Sequence, residues 1–322
     1  MATGCFISTG KSFPAALDRV RLAEKLGYAS AWTTHVNGRD ALGVCTAYAA
    51  ATESIGIGTG VVPIYSRTPA TMAQEAATID DLSGGRFTLG IGVSHRPVVE
   101  GWHGQSIDKP VTEMREYATT VRSILRGEPV GETAKWKTSF ALGIGPFPDL
   151  PLFVAALSPN MLRLAGEIAD GVILWLCNPN YIRDIVVPAV TEGRERAGLG
   201  LDGFEIVAAV PGACTDDPGA ALEAQRRDLI PYFGLPFYRA MLERSGFGHD
   251  IAGFDAAGGD PEKMASAISD GFLELLCAIG DTAEVRAGLE RYREAGATLP
   301  CVGPVAGTDF DATLEAGAPG GR

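Results

Sequence analysis

The chain has 322 residues, of which 46% are hydrophobic and 20% charged, a composition that supports a folded core and excludes a mostly disordered protein. Its formal net charge of −12 argues against nucleic-acid and anionic-membrane partners, because their phosphate groups would be repelled. The N-terminus lacks the basic and apolar segments of a signal peptide, and no stretch approaches the ~20 apolar residues of a membrane span. Six cysteines without a CxxC pair predict reduced, mostly buried thiols, and we therefore expect a cytoplasmic protein.

Short apolar runs separated by glycine and proline predict alternating strands and helices along the chain. Ser12 and Pro14 are typical of a helix start, and Gly27 is typical of a helix end. A later helix is predicted to begin at Thr68 and to end at Gly84. The predicted strands span residues 4–9, 28–34, 55–62, 86–93, 151–156, 171–176, 204–210 and 272–279.

Eight strands in alternation with helices predict an α/β protein with a (β/α)8 (TIM) barrel. We expect one barrel domain over residues 1–302 and a C-terminal tail over residues 303–322. Two segments, about residues 126–150 and 229–260, interrupt the alternation and are predicted insertions. Insertions on such a barrel usually surround the active site at the C-terminal face, so residues 94–110 and 229–260 are expected to set the substrate.

Several common binding and catalytic motifs are absent from the sequence. Residues 9–12 end like a phosphate-binding P-loop, but Cys5 occupies the position of its first glycine. Residues 56–60 lack the third glycine of a dinucleotide-binding fingerprint. The four histidines have no metal-ligand spacing and there is no GxSxG nucleophile motif, so we expect neither a metal site nor an α/β-hydrolase.

Five blocks of the sequence together resemble one known protein family. The most specific is TPATMAQEAATIDDLSGGRFTLGIGV at residues 68–93, and residues 22–35, 51–69, 151–174 and 279–297 agree with it in order. These blocks resemble the luciferase-like monooxygenase superfamily, in particular its branch of deazaflavin (coenzyme F420)-dependent oxidoreductases. The resemblance covers most of the chain and implies a TIM barrel, which the succession of strands predicts independently.

The resemblance implies an oxidoreductase that transfers a hydride between coenzyme F420 and a small organic substrate. Two other functions stay open at this point, namely a reduced-FMN-dependent monooxygenase served by a separate flavin reductase and a non-catalytic flavin-binding protein. The third function would lack a substrate-sized cavity. We also expect a separate cofactor reductase and a homodimer, because the helix at residues 68–82 is rich in Ala and Met that suit close helix contacts, a pattern that core packing explains equally.

His35 is the predicted catalytic residue. It follows the second predicted strand, and the C-terminal end of a barrel strand points into the barrel mouth, where active sites lie. Its imidazole titrates near neutral pH and could donate or accept a proton as a hydride moves. A single histidine is more often structural, but the family pattern places an active-site histidine at this position.

Two further strand ends provide predicted cofactor-binding residues. The resemblance implies a non-prolyl cis peptide bond at Gly60–Val61, to within one residue, that lies behind the flavin-like ring. A glycine here could also simply ease strand packing. Ser94 and His95 follow the fourth predicted strand, where with Arg96 they could orient the substrate or the acidic cofactor tail, or form a capped turn.

The turn formed by Leu157, Ser158, Pro159, Asn160 and Met161 is the predicted phosphate site. It joins the fifth predicted strand to its helix, and backbone N–H groups at a helix N-terminus beside a serine hydroxyl form an anion site. The resemblance assigns the cofactor phosphate to this turn. Ordinary N-capping by Ser158 uses the same geometry, so the two interpretations are compatible.

Aromatic and basic side chains complete the candidate site. The candidates for an aromatic pocket that takes a flat ring or an apolar substrate are Trp102, Trp175, Tyr65, Phe233 and Phe237. The candidates for binding the negatively charged cofactor tail are Arg67, Arg96, Arg163, Lys135 and Lys137.

Overall fold

The computed structural model describes residues 2–320, in which eight parallel strands close into a barrel. The strands of the sheet are β1 (Gly4–Phe6), β2 (Ser30–Thr33), β3 (Gly56–Thr59), β4 (Val62–Pro63), β5 (Phe87–Gly92), β6 (Leu152–Ala155), β7 (Gly171–Leu174), β8 (Glu205–Cys214), β9 (Ala278–Gly280) and β10 (Leu299–Pro304). The barrel order is β1-β2-β3-β5-β6-β7-β8-β10, and β10 closes it by pairing with both β8 and β1. The predicted TIM barrel is confirmed.

Helices surround this barrel. They are α1 (Phe13–Lys25), α2 (Ala41–Ala51), α3 (Pro69–Ser83), α4 (Arg96–His103), α5 (Pro110–Arg126), α6 (Pro159–Ile168), α7 (Pro179–Tyr181), which continues through a π-helical turn (Ile182–Val186) into α8 (Val187–Arg196), α9 (Pro218–Phe233), α10 (Pro236–Arg244), α11 (Gly248–Ala256), α12 (Pro261–Ser266), α13 (Asp270–Leu276), α14 (Thr282–Glu294) and α15 (Phe310–Gly317). Local capping explains several of their ends. Ser12 and Thr68 accept backbone N–H groups at the starts of α1 and α3, and Gly84 ends α3 with φ of 67°.

The prediction of the eighth barrel strand at residues 272–279 is wrong. Most of that segment is helix α13, which begins after Ser269, whose hydroxyl accepts the Phe272 N–H, and only β9 at its end is extended. The eighth barrel strand is β10, with the sequence LPCVGP. Its prolines and glycine are typical of turns, because proline cannot donate to a strand ladder, and they conceal the strand in the sequence.

The structure also contradicts the predicted tail at residues 303–322. Strand β10 extends to Pro304, and α15 packs against α14 and β8. Tyr28 donates a hydrogen bond to the Leu314 carbonyl at 2.7 Å, and Thr313 Oγ1 accepts the Cys214 N–H at 3.0 Å. The helix therefore belongs to the layer of helices around the barrel. Residues 321–322 lie outside the described part of the chain.

The two predicted insertions differ in structure. Residues 229–260 belong to a longer helical excursion, α9 to α13, which connects β8 to β9. Residues 127–151 connect α5 to β6 without a helix or strand. This segment folds back along α5, where Trp136 Nε1 donates to the Glu113 carbonyl at 3.0 Å. The first turn of α5 and the segment are thereby fixed to each other.

Five of the six cysteines are buried, Cys214 is half-buried, and all are free thiols. Within residues 2–320 we find no helix with the length and apolar character that a membrane crossing requires. Met72, Ala73, Ala76 and Ala77 of α3 are buried, and α3 packs against α2 and α5, so packing within the monomer accounts for these residues.

Candidate active site

A cavity of about 680 Å³ opens at the C-terminal ends of the barrel strands. Phe6 lines the cavity and packs against Trp32 in the centre of the barrel, where the Trp32 and Phe153 rings stack with centroids 5.9 Å apart. Each barrel strand contributes to the wall near its C-terminal end. In chain order these contributions include Ile7, His35, Val61, Val93, Ala156, Trp175, Pro211 and Gly303.

Nearly all of the residues predicted for the site line this one cavity. The set that lines it is His35, Gly60, Val61, Ser94, His95, Leu157, Ser158, Asn160 and Met161. Pro159 is the exception, since it is the first residue of α6 but does not line the cavity. The structure therefore brings together residues that are separated by more than a hundred positions in the sequence.

His35 lies just beyond β2 with its side chain 14% exposed. Its Nδ1 lies 3.3 Å from the backbone N–H of Ala41 and 3.2 Å from Oδ1 of Asp40. Both contacts hold the ring by the same nitrogen. Among the described residues, Nε2 is the nitrogen that remains for a ligand in the cavity.

Asp40 belongs to a charged network behind His35. It caps α2 by accepting the Gly43 N–H at 2.8 Å, and its other oxygen is paired with Arg67. Arg67 Nε also lies 2.7 Å from Glu75. Burial and the positive charge of Arg67 lower the pKa of His35, and the carboxylate of Asp40 opposes this shift. His35 is therefore mainly neutral at neutral pH.

Gly60 and Val61 lie where β3 ends, and the peptide bond between them is cis. A side chain cannot be added at Gly60, because a Cβ there would lie 2.5 Å from the ring of Phe6. The same restriction applies to Gly92 across the cavity floor, where a Cβ would lie 2.7 Å from Cγ2 of Val61. Glycine at both positions keeps the backbone accessible beside Val61.

Ser94 and His95 form the turn from β5 into α4. Ser94 has φ of 58°, in the left-handed region, and His95 is the N-cap residue of α4 without a side-chain capping bond. Burial lowers the pKa of His95, and its ring lies 5.6 Å from that of Tyr238. Arg96 does not line the cavity, because its guanidinium pairs with Glu100 and donates to the Ile107 carbonyl.

The turn before α6 has the geometry of both a helix cap and an anion site. Ser158 Oγ accepts the Met161 N–H at 3.3 Å, and the Leu162 N–H bonds to the Ser158 carbonyl at 2.9 Å. Because Pro159 has no N–H, the Asn160 N–H is the first-turn donor that remains for an anion among the described residues. Tyr181 holds the turn by donating to the Leu157 carbonyl at 2.7 Å. Arg163 donates to Oδ1 of Asn160 at 3.1 Å, which places a cation next to this end of the cavity.

The aromatic candidates divide into two groups. Trp102, Trp175 and Phe237 line the cavity. Tyr65 instead donates a hydrogen bond to buried Glu113, and Phe233 packs in the core against Phe254 and Phe272. Sequence analysis missed the aromatic lining residues Phe6, Tyr232 and Tyr238. Only the expectation that residues 229–260 set the substrate pointed toward Tyr232 and Tyr238.

None of the five candidate cations is part of the cavity wall within residues 2–320. Arg67, Arg96, Arg163 and Lys135 are each paired with a carboxylate. Lys137 is exposed on the irregular segment between α5 and β6. Arg163 is the candidate with a hydrogen bond to a lining residue, Asn160.

Comparison with known proteins gives a consistent result. The family model for luciferase-like monooxygenase matches residues 1–299. A 5,10-methylenetetrahydromethanopterin reductase of Methanopyrus kandleri is 28% identical over 92% of this chain and 90% of its own length. A putative coenzyme F420-dependent oxidoreductase of Mycobacterium tuberculosis is 30% identical over 88% of each chain. The solved coenzyme F420-dependent tetrahydromethanopterin reductase from Methanopyrus kandleri superposes with a TM-score of 0.82 at 27% identity, covering 98% of this chain and 96% of that one.

Proposed function

The chain belongs to the luciferase-like monooxygenase family, and on that premise we propose that it is an oxidoreductase that transfers a hydride between coenzyme F420 and a small organic substrate. The relative that is 30% identical and the solved reductase that is 27% identical both bear names that specify coenzyme F420, and this favours F420 over FMN. The observation that supports catalysis most directly is His35, held by Nδ1 at the wall of a cavity large enough for a cofactor and a substrate.

The residues present suit a flat ring with an anionic tail. The cavity volume lies within the range of about 300–1,000 Å³ that is typical of small-molecule sites. Gly60 and Gly92 carry no side chain, and a Cβ at either position would clash with its neighbours. Together with Val61 they offer an apolar surface against which the ring can lie. Ser158 and the N-terminus of α6 offer donors for a phosphate. When bound, coenzyme F420 supplies the hydride-transfer chemistry, and the protein supplies position and proton handling.

His35 is suited to exchange a proton at Nε2. In the imidazolium, Nδ1–H faces the carboxylate of Asp40 and Nε2–H is the acid available to the substrate. Loss of one proton leaves either Nδ1–H facing the carboxylate of Asp40 or Nε2–H with Nδ1 accepting the Ala41 N–H, so Nδ1 has a partner in both neutral forms. The same ring can accept a proton at Nε2 in the reverse direction. A reduction consumes this proton at the substrate oxygen or nitrogen, and an oxidation returns it.

The protein's substrate class, oligomeric state, cofactor supply and location are further parts of the proposal. Relatives that act on small organic molecules fit the expected substrate class. We further propose a homodimer, a separate enzyme that regenerates the cofactor, and a cytoplasmic location. Native mass spectrometry tests the dimer, and a monomer at micromolar concentration would contradict it.

Equilibrium binding of F420 and FMN to the purified protein tests the proposed cofactor. We expect F420 to bind with a micromolar dissociation constant and FMN to bind more weakly, as measured by fluorescence titration. Preferential FMN binding would contradict the proposal and indicate an oxygenase with a partner reductase. The variant Ser158→Ala should weaken F420 binding, whereas Ser269→Ala, which removes a cap at a distant helix, should not.

A further inference from the structure

Aromatic rings that contact one another form one side of the cavity. Trp175 and Tyr232 have ring centroids 5.8 Å apart, and Tyr232 and Tyr238 have centroids 5.0 Å apart. His95 extends the series, since its ring lies 5.6 Å from that of Tyr238. We call Trp175, Tyr232, Tyr238 and His95 the aromatic wall. It combines residues from the end of β7, from α9 and α10, and from the turn before α4.

The aromatic wall is uncharged at neutral pH. Burial lowers the pKa of His95 and raises the pKa of both Tyr232 and Tyr238, so all three groups stay neutral. Within residues 2–320, no Asp, Glu, Lys or Arg lines the cavity, although the whole chain has a net charge of −12. An ionised group bound against this wall would lose its hydration without meeting an opposite charge, which is unfavourable.

The mouth of the cavity is also apolar. Val36, Trp102 and Phe237 are 62%, 53% and 52% exposed, and all three border the cavity. Single exposed apolar residues are ordinary, but a cluster of them around a cavity marks a ligand-binding surface. An apolar molecule that enters here covers surface that water otherwise contacts.

The N-terminus of α6 is the electropositive feature of the cavity, and the proposed function uses it for the cofactor phosphate. A negatively charged substrate in the cofactor-loaded protein therefore finds no partner on the side of the aromatic wall. We propose that the aromatic wall and the apolar mouth select an uncharged, largely apolar substrate, and that Phe237 and Tyr238 are specificity-determining residues. This inference rests on the proposed function, because the same cavity holds cofactor and substrate.

A matched pair of ligands tests the inference. The F420-loaded protein is titrated calorimetrically with cyclohex-2-enone and with 4-oxocyclohex-2-ene-1-carboxylate, which adds one negative charge to the same ring. We expect the dissociation constant of the carboxylate to be at least about tenfold higher than that of the neutral enone. Equal binding, tighter binding of the carboxylate, or no binding of either compound would overturn the inference.

A charge placed at the mouth sharpens the test. Phe237→Arg puts a cation beside the cavity at an exposed position, and we expect it to tighten carboxylate binding by about tenfold. Ile144→Arg is the matched control, because Ile144 is also 52% exposed but does not line the cavity. Equal effects of the two variants would contradict the role of Phe237.

F420 binding is measured separately and before these titrations. Absence of F420 binding would contradict the proposed function, and the same ligand pair titrated into the protein alone would then decide the inference. F420 binding together with a preference for the carboxylate would contradict only the inference. The two failures are thus distinguishable.

Discussion

His35 and His95 line the same cavity but have different surroundings. Behind His35 lies a charged network of Asp40, Arg67 and Glu75, which contacts the ring at Nδ1. Beside His95 lie aromatic rings, with the Tyr238 ring 5.6 Å away. Burial lowers the pKa of both histidines, but nearby charges act on His35 in addition.

The difference indicates a division of roles. A histidine fixed by one nitrogen and adjusted by two opposite charges is suited to handle a proton at its other nitrogen. A buried, uncharged histidine among aromatic rings contributes to the shape and the neutral character of the cavity wall. If the two histidines had the same role, variants of His35 and of His95 would have the same effects.

The largest expected effect is on turnover. His35→Ala should lower kcat by about 10²–10⁴-fold, because a positioned proton donor is lost. His95→Ala should change mainly KM, since it removes part of the aromatic wall. Steady-state kinetics with reduced F420 and a neutral enone measures both, and equal losses of kcat would contradict the division.

The pH profile should follow His35. Its pKa is lowered, so the acid form that reduction requires becomes populated only below the ordinary histidine range. We expect the rate of reduction to fall by about tenfold for each pH unit above that pKa, and the rate of substrate oxidation to rise and then level off. His95→Ala should leave the profile unchanged. A shifted profile in His95→Ala would contradict this prediction, because it would show that His95 contributes to the pH dependence.

The charged neighbours of His35 should move its pKa in opposite directions. Arg67→Met removes a cation and should raise the pKa of His35, whereas Asp40→Asn removes an anion and should lower it. His103 also lowers this pKa and is retained in both variants. NMR titration of the four histidines measures the shifts, with His95 as the internal control that should not move.

The smallest expected effect is on stability. Asp40→Ala removes the side-chain cap of α2 and should lower the free energy of unfolding by about 0.5–2 kcal/mol. His95 also occupies an N-cap position, but its side chain makes no capping bond, so His95→Ala should lose less. Chemical denaturation compares the two variants, and a larger loss for His95→Ala would contradict the cap assignments.

Local chemistry made much of the fold and site predictable. Thr68 and Gly84 delimit α3 through capping that needs no tertiary context, and His35 follows a short apolar strand. Other features depend on distant contacts. Strand β10 contains two prolines, which disfavour a strand locally, yet it pairs with both β8 and β1. Helix α15 packs against β8, which is far away in the chain.

Features of the site that depend on contacts between distant residues were also not predictable from local sequence. Arg67 was predicted only as a candidate cation for the cofactor tail, and Asp40 was not among the predicted site residues. Their pairing behind His35 joins residues 27 positions apart. Tyr232 and Tyr238 reach the cavity because α9 and α10 fold over the barrel mouth, which no local pattern indicates.

Anaerobic turnover tests the central claim most directly. Reduced F420 is mixed with the protein and cyclohex-2-enone in the absence of oxygen, and the absorbance of oxidised F420 is followed. Hydride transfer predicts that F420 becomes oxidised in step with the reduction of the enone, and that His35→Ala slows both. Oxidation that requires oxygen, or turnover that requires reduced FMN, would contradict the account and support a monooxygenase.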